Sequence, residues 1–129
     1  MRLLLDTHAL LWWLDGDERL PSGTRKHIAD EGTVVFVSAA SAWEIATKYR
    51  IGKLPGAVEV AERLPEVIRE QRFQELAISV MHARLAGLLP GTHRDPFDRM
   101  LIAQAQIEGI PLVSNEELFD RYGIRRLWD

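Results

Sequence analysis

"TVVFVSAASAWEIATKYRIG" (33–52) sets two kinds of hydrophobic pattern end to end. Residues 33–38 form a short β-branched, apolar run, the pattern of a buried strand. Ser38 is then placed to cap a helix over 39–52, and Gly52 to end it. Lys48, Arg50 and Lys53 gather at that helix's negative end. A strand that feeds directly into a helix is half of a crossover unit, so the rest of the chain is read for the same alternation.

The alternation is there. "RLLL" (2–5) is an apolar run cut off at Asp6, and "THALLWWL" (7–14) follows as a helix closed by "DGD" (15–17). A second helix fits 23–32, with Gly32 as its stop. Residues 57–72 are helical with a break or kink near Pro65. "QELAIS" (74–79) is a third strand and "VMHARLAGL" (80–88) a short helix. Residues 95–109 form a strong helix, "PLVS" (111–114) a strand, 115–123 a short helix and "IRRLW" (124–128) a last strand. Parallel neighbours need crossovers, so this order predicts an α/β fold with a parallel, about five-stranded sheet and helices on both faces. With 129 residues and no internal repeat or low-complexity linker, the expectation is one domain spanning 1–129.

Composition narrows the chemistry. The chain has no cysteine, which removes disulfides, thiolate zinc sites and thiol nucleophiles and suits a reducing cytoplasm. No run is long enough to span a membrane, and the N-terminal apolar stretch is interrupted by Asp6 and His8 without a cleavage signal after it. The net charge of −3 does not advertise a nucleic-acid binder, so any RNA contact needs a local basic rim. There is no P-loop and no G-x-G-x-x-G.

Ligands of open parallel sheets bind outside the carboxyl ends of the strands. Asp6 follows the first strand directly, Glu44 lies in the second turn of the helix after 33–38, and Glu116 comes shortly after "PLVS". Asp95 and Asp98, in "THRDPFDRM" (92–100), fall in a first helical turn at the same edge. Asp at the N-cap followed by Pro is an ordinary helix start that accounts for Asp95. Asp98 is only partly explained by capping, since Asp is a poor reciprocal partner at that position. Asp6 interrupts an apolar run, where a lone carboxylate is costly to bury.

Carboxylates drawn together raise one another's pKa unless a cation sits among them. Oxygen donors without Cys favour Mg²⁺ or Mn²⁺ over zinc, and the four His residues (8, 27, 82, 93) have no paired metal spacing. The matching reaction is phosphodiester hydrolysis by a metal-activated water, with Asp98 or Glu44 orienting that water or taking its proton. Arg94 and Arg99 flank the acid pair, and Lys48 and Arg50 lie along the helix that carries Glu44. Together they are the candidates for RNA phosphate contacts. The helix 7–14 is apolar nearly all round, which points to burial on more than one side: Trp12, Trp13 and Trp43 are candidate anchors for a second copy or a partner helix.

"LLLDTHALLWWL", "SAWEIATKYRIGKL", "HRDPFDRMLIAQAQ" and "PLVSNEELFDRYGI" resemble, in order and character, the motifs of PIN-domain proteins. The resemblance is to the VapC-like ribonuclease toxins of type II toxin–antitoxin pairs, and it runs over nearly the whole chain. It implies an α/β/α sandwich and Mg²⁺- or Mn²⁺-dependent endoribonuclease activity, restrained by a cognate antitoxin. Carried over by position, it implies Asp6, Glu44 and Asp98 as catalytic and metal-holding acids, with Asp95 as support or cap. Where the family usually has Asp in a "T-x-D" pattern, this chain has "SNE", so Glu116 stands there with a longer side chain. Two rival readings compete with this one. A receiver-type metal-binding module wants paired acids after the first strand, where this chain has Asp6-Thr7-His8. A PIN-like protein without catalysis, acting through protein partners, is favoured only by Glu116.

Overall fold

The computed structural model describes residues 1–54, 58–91 and 93–129. Five strands form one sheet in the order β3-β2-β1-β4-β5, every pairing parallel. They are β1 (Arg2–Leu5), β2 (Val34–Ser38), β3 (Gln74–Leu76), β4 (Leu112–Val113) and β5 (Arg126–Leu127). The apolar β1 is central, with Leu3 opposite Val35 on one side and Leu4 opposite Leu112 on the other. Its side chains alternate between the faces. Leu3 and Leu5 enter a core with α1 (Thr7–Asp15), α2 (Ser22–Ala29), α3 (Ala39–Arg50) and α5 (Leu64–Glu70). Leu4 enters a second core with α6 (Val80–Leu88) and α7 (Pro96–Glu108). This is the two-faced α/β arrangement that the alternation implied, and no described helix is long and apolar enough to cross a membrane.

The differences from the sequence reading have physical causes. The expected strand 74–79 ends at Leu76 because Ser79 caps α6. Its hydroxyl accepts from the His82 N–H at 3.1 Å, and the His82 ring accepts from the Ser79 N–H at 3.0 Å. The expected helix 57–72 is two helices, α4 (Val58–Glu62) and α5, with the break at Arg63 (φ −123°, ψ 23°); its first residue lies outside the described ones. Pro65 falls in the first turn of α5, where its missing N–H leaves no helical bond unmade. Residues Glu117–Tyr122 form a 3₁₀ helix rather than an α-helix, closed by Gly123 at φ +71°.

Chain direction then fixes where a site belongs. From β1 the chain crosses to β2 and β3 on one side, while β4 pairs with the other side of β1. The crevice of such a sheet opens where the order reverses, at the carboxyl ends of β1 and β4. There the Asp6 N–H donates to the Val113 carbonyl at 3.0 Å.

Candidate active site

Asp6 leaves β1 in extended geometry and caps α1, its Oδ1 accepting from the Ala9 N–H at 2.8 Å. It is 5% exposed. Burial pushes its carboxyl above the usual range and the Glu44 charge adds to the rise, against the Ser114 hydroxyl, the Ala9 N–H and the His8 charge. Glu44 is brought in by α3, whose start Ser38 fixes by accepting from the Ala40 N–H at 2.9 Å. The buried Glu44 carboxylate is held from two sides. The Thr7 hydroxyl donates to Oε1 at 2.6 Å, with Ser41 Oγ 3.0 Å from Thr7, and the Lys48 ammonium meets Oε2 at 2.6 Å.

On α7, Asp95 caps the helix by accepting from the N–H groups of Phe97 (2.9 Å) and Asp98 (3.1 Å). Asp98 stands in the first turn, and its carboxyl is pushed up to about 7. Burial is the main cause, followed by the charges of Asp95, Glu44, Asp6 and Glu116. That ranking is a readout of convergence: Asp95 on the same helix and three acids from three other segments all act on one carboxylate. His93 Nε2 lies 3.1 Å from Asp98 Oδ2 but makes no aligned hydrogen bond. Beyond β4 the buried Ser114 hydroxyl accepts from the Glu116 N–H at 3.0 Å, turning the chain so that Glu116 faces the same space.

These groups enclose a cavity of about 90 Å³ walled by Asp6, Thr7, Glu44, Lys48, Asp95, Asp98 and Glu116, with His8, Asn115 and Phe119. Its donor set is all oxygen apart from Lys48 and the His8 imidazole, it carries excess negative charge, and two of its acids are held above their ordinary range. That chemistry fits a hard divalent cation. Among the described residues no three His, Asp or Glu side chains already stand at metal-holding separations.

The basic and aromatic candidates divide. Lys48 reaches the cavity, whereas Arg50 is exposed in the last turn of α3 and does not line it. Arg94 is exposed beside it. Arg99 is a correction. Its guanidinium donates to the carbonyls of Ala86 (2.9 Å), His93 (2.9 Å) and Leu89 (2.6 Å), tying the end of α6 to α7 instead of facing a phosphate. Trp12 is half-buried, stacked on His8 (5.5 Å) and covered by Arg19 (4.8 Å). Trp13 packs on Phe73 and donates to Gln71 at 2.9 Å. Trp43 alone of these three faces solvent, 60% exposed and edge-on to Phe97 at 4.9 Å. The sequence reading missed Ser114. A small hydroxyl ending the neighbouring strand is the signal that was available.

Residues 3–125 match the PIN domain family. The chain belongs to that family. A curated relative, the ribonuclease VapC16 of Mycobacterium tuberculosis, is 43% identical over 63 residues, a stretch covering 49% of this chain and 43% of the relative. The matched part is thus under half of that relative's length. This chain's fold is similar to one in the crystal structure of VapBC2 from Rickettsia felis bound to a promoter DNA fragment (TM-score 0.74, 16% identity, 100% of both chains). A further likeness is VapC20 of M. tuberculosis, a sarcin–ricin-loop-cleaving toxin (TM-score 0.69, 17% identity, 98% of this chain and 99% of that one). At those identities the two structures speak for the fold.

Proposed function

We propose that this PIN domain is a Mg²⁺- or Mn²⁺-dependent endoribonuclease, the toxin of a type II toxin–antitoxin pair acting in the cytoplasm. The observation that carries the reading is the convergence of Asp6, Glu44, Asp98 and Glu116, with Asp95 beside them, on one small cavity at the sheet's switch point. Asp6, Glu44 and Asp98 would hold the cation, with Glu116 and Asp95 as weaker contributors. When bound, a divalent ion there polarises a phosphoryl oxygen and lowers the pKa of a coordinated water.

The chain's own residues do the rest. Asp6 is anchored by its capping bond, and Thr7 anchors the Glu44 carboxylate. Asp98, at the cavity wall in the first turn of α7, is placed to orient the attacking water and take its proton. Lys48, at the cavity wall, supplies positive charge beside the scissile phosphate. The VapBC likenesses favour an antitoxin protein as partner. The exposed Trp43 is the candidate anchor for that partner or for a second copy in a homodimer.

The test is cleavage of a mixed RNA by the parent chain and by Asp6→Asn, each with Mg²⁺, Mn²⁺ or EDTA. Cleavage that needs metal and disappears in the variant supports the proposal. A clean parent that binds metal yet cuts neither mixed RNA nor structured tRNA and rRNA fragments overturns it in favour of a binding role.

A further inference from the structure

The basic side chains near the acids sort by what already holds them. Lys48 is paired with Glu44, and Arg99 is engaged by carbonyls. Arg126 clasps Asp120 (2.8 and 3.2 Å) and donates to the Ser114 carbonyl at 3.0 Å. Among the described residues, Arg94 and Arg121 have no such partner, and both are exposed. They line one cleft of about 530 Å³ together with Gly91, His93, Leu118 and Tyr122.

This cleft adjoins the acid cavity through His93. His93 lines the cleft while its Nε2 lies 3.1 Å from Asp98. Its ring stands 5.8 Å from that of Phe119, which lines the cavity. The half-buried Tyr122 and Leu118, 47% exposed, give the cleft an apolar part. Gly91 (φ +95°) passes so close that a Cβ there would stand 3.0 Å from the Tyr122 hydroxyl, which leaves the ring beside backbone instead of under a side chain. The nearest acid in sequence to Arg121, Asp120, is neutralised by Arg126, so Arg121 keeps its field for a ligand.

Two unpaired guanidinium groups beside an aromatic ring, next to the acid cavity, match the needs of an unstacked nucleotide. We propose that the cleft is a subsite for single-stranded RNA. In it a base flanking the scissile bond lies on Tyr122 and Leu118, and Arg94 and Arg121 hold the adjoining phosphates. The inference rests on the ribonuclease reading of the acid cavity and adds to it where the strand runs and why a single strand is preferred.

The experiment measures binding of a fluorescein-labelled single-stranded RNA decamer, and of the same sequence as a duplex, by anisotropy. It uses the full chain carrying Asp6→Asn in Mg²⁺, with and without Arg94→Ser and Arg121→Ser. The double variant is expected to bind the single strand roughly tenfold more weakly, and its salt slope to flatten by about 1.4, two contacts at about 0.7 each. Duplex binding is expected to change less. With Asp6 intact, the same pair of substitutions is expected to raise KM more than it lowers kcat, while Mn²⁺ affinity by electron paramagnetic resonance stays unchanged. Unaltered affinity and salt slope in a parent that cleaves RNA overturn the subsite and leave the nuclease standing. Parallel loss of Mn²⁺ binding overturns it too, because the arginines would then be shaping the acid cavity. A parent that neither binds nor cuts RNA overturns both readings.

Discussion

Asp98→Asn should make the metal-free protein more stable at neutral pH, and the size of the gain follows from the site. The Asp98 carboxyl goes from an ordinary 3.8 up to about 7 in the folded chain. An acid raised on folding favours the protonated native state. No penalty exists below pH 3.8; it grows as pH rises between the two values and is complete above 7. At 1.36 kcal/mol per decade the full penalty approaches about 4 kcal/mol, an upper bound because the side chain keeps 27% of its exposure and solvent screens its neighbours. Halving it for that reason leaves about 2 kcal/mol. The α7 dipole, which favours a first-turn charge by about 0.5 kcal/mol, reduces the net gain to about 1.5.

For a chain of this size that is a rise in Tm of roughly 5 °C at pH 8, and of roughly 2 °C at pH 5, where less than half of the penalty has accrued. The assay is thermal unfolding by circular dichroism in EDTA, parent against variant at both pH values. Saturating Mg²⁺ should shrink or reverse the difference, since an ion that binds only the folded parent stabilises it. A variant that melts no higher than the parent at pH 8 without metal, or by the same margin at both pH values, would refute the idea that the acids are held in mutual repulsion.

Other consequences are simpler to state. Lys48→Met removes the ammonium that meets Glu44 at 2.6 Å; Mn²⁺ affinity should rise roughly fivefold, about 1 kcal/mol for a partly exposed pair, while RNA cleavage falls, as paramagnetic resonance and gel assays would register. Thr7→Val takes the hydroxyl from a buried carboxylate and should cost about 1–2 kcal/mol in urea unfolding; Thr7→Ser should recover both stability and cleavage. Arg99→Met should destabilise the fold by at least about 2 kcal/mol through its lost carbonyl contacts, yet leave the salt slope of RNA binding as it was, and a flattened slope would return Arg99 to the RNA-contacting set.

The placement of the acids was legible because it depends on local grammar. Asp6 ends an apolar run, Asp95 precedes a proline, and Ser38 starts a helix that presents Glu44 in its second turn; each is a cap or strand-end rule that needs no knowledge of distant residues. Where Arg99 points was not legible. The carbonyls it meets are freed by the end of α6 and by the loop after it, and only the packing of α6 on α7 brings them within reach. The same holds for Trp12 and Trp13, whose partners Trp128 and Phe73 come from chain segments distant in sequence. β3, β4 and β5 are shorter than their apolar runs suggest because hydrophobicity continues past the last ladder bond. Their ends are set by caps and turns, as when the Ser79 hydroxyl and the His82 ring complete a cap across one helical turn.

Rigidity explains why the acid cavity holds charge that its surroundings do not neutralise. Asp6 and Asp95 are anchored as helix caps, Glu44 by Thr7 and Lys48, and the backbone of Glu116 by Ser114. These ties leave the carboxylates little freedom to swing apart, and one ammonium faces the acids of four chain segments. Repulsion in a cavity that cannot open is relieved in two ways, by protons or by a cation drawn in. Protons go where no hydrogen bond opposes them. Asp98, with only an unaligned His93 nearby, is such a place, whereas Asp6 is opposed by its capping bond and Ser114. Asp98 is therefore an acid at which, without a cation, the scaffold lets a proton relieve the repulsion, and a cation drawn in takes that proton's place.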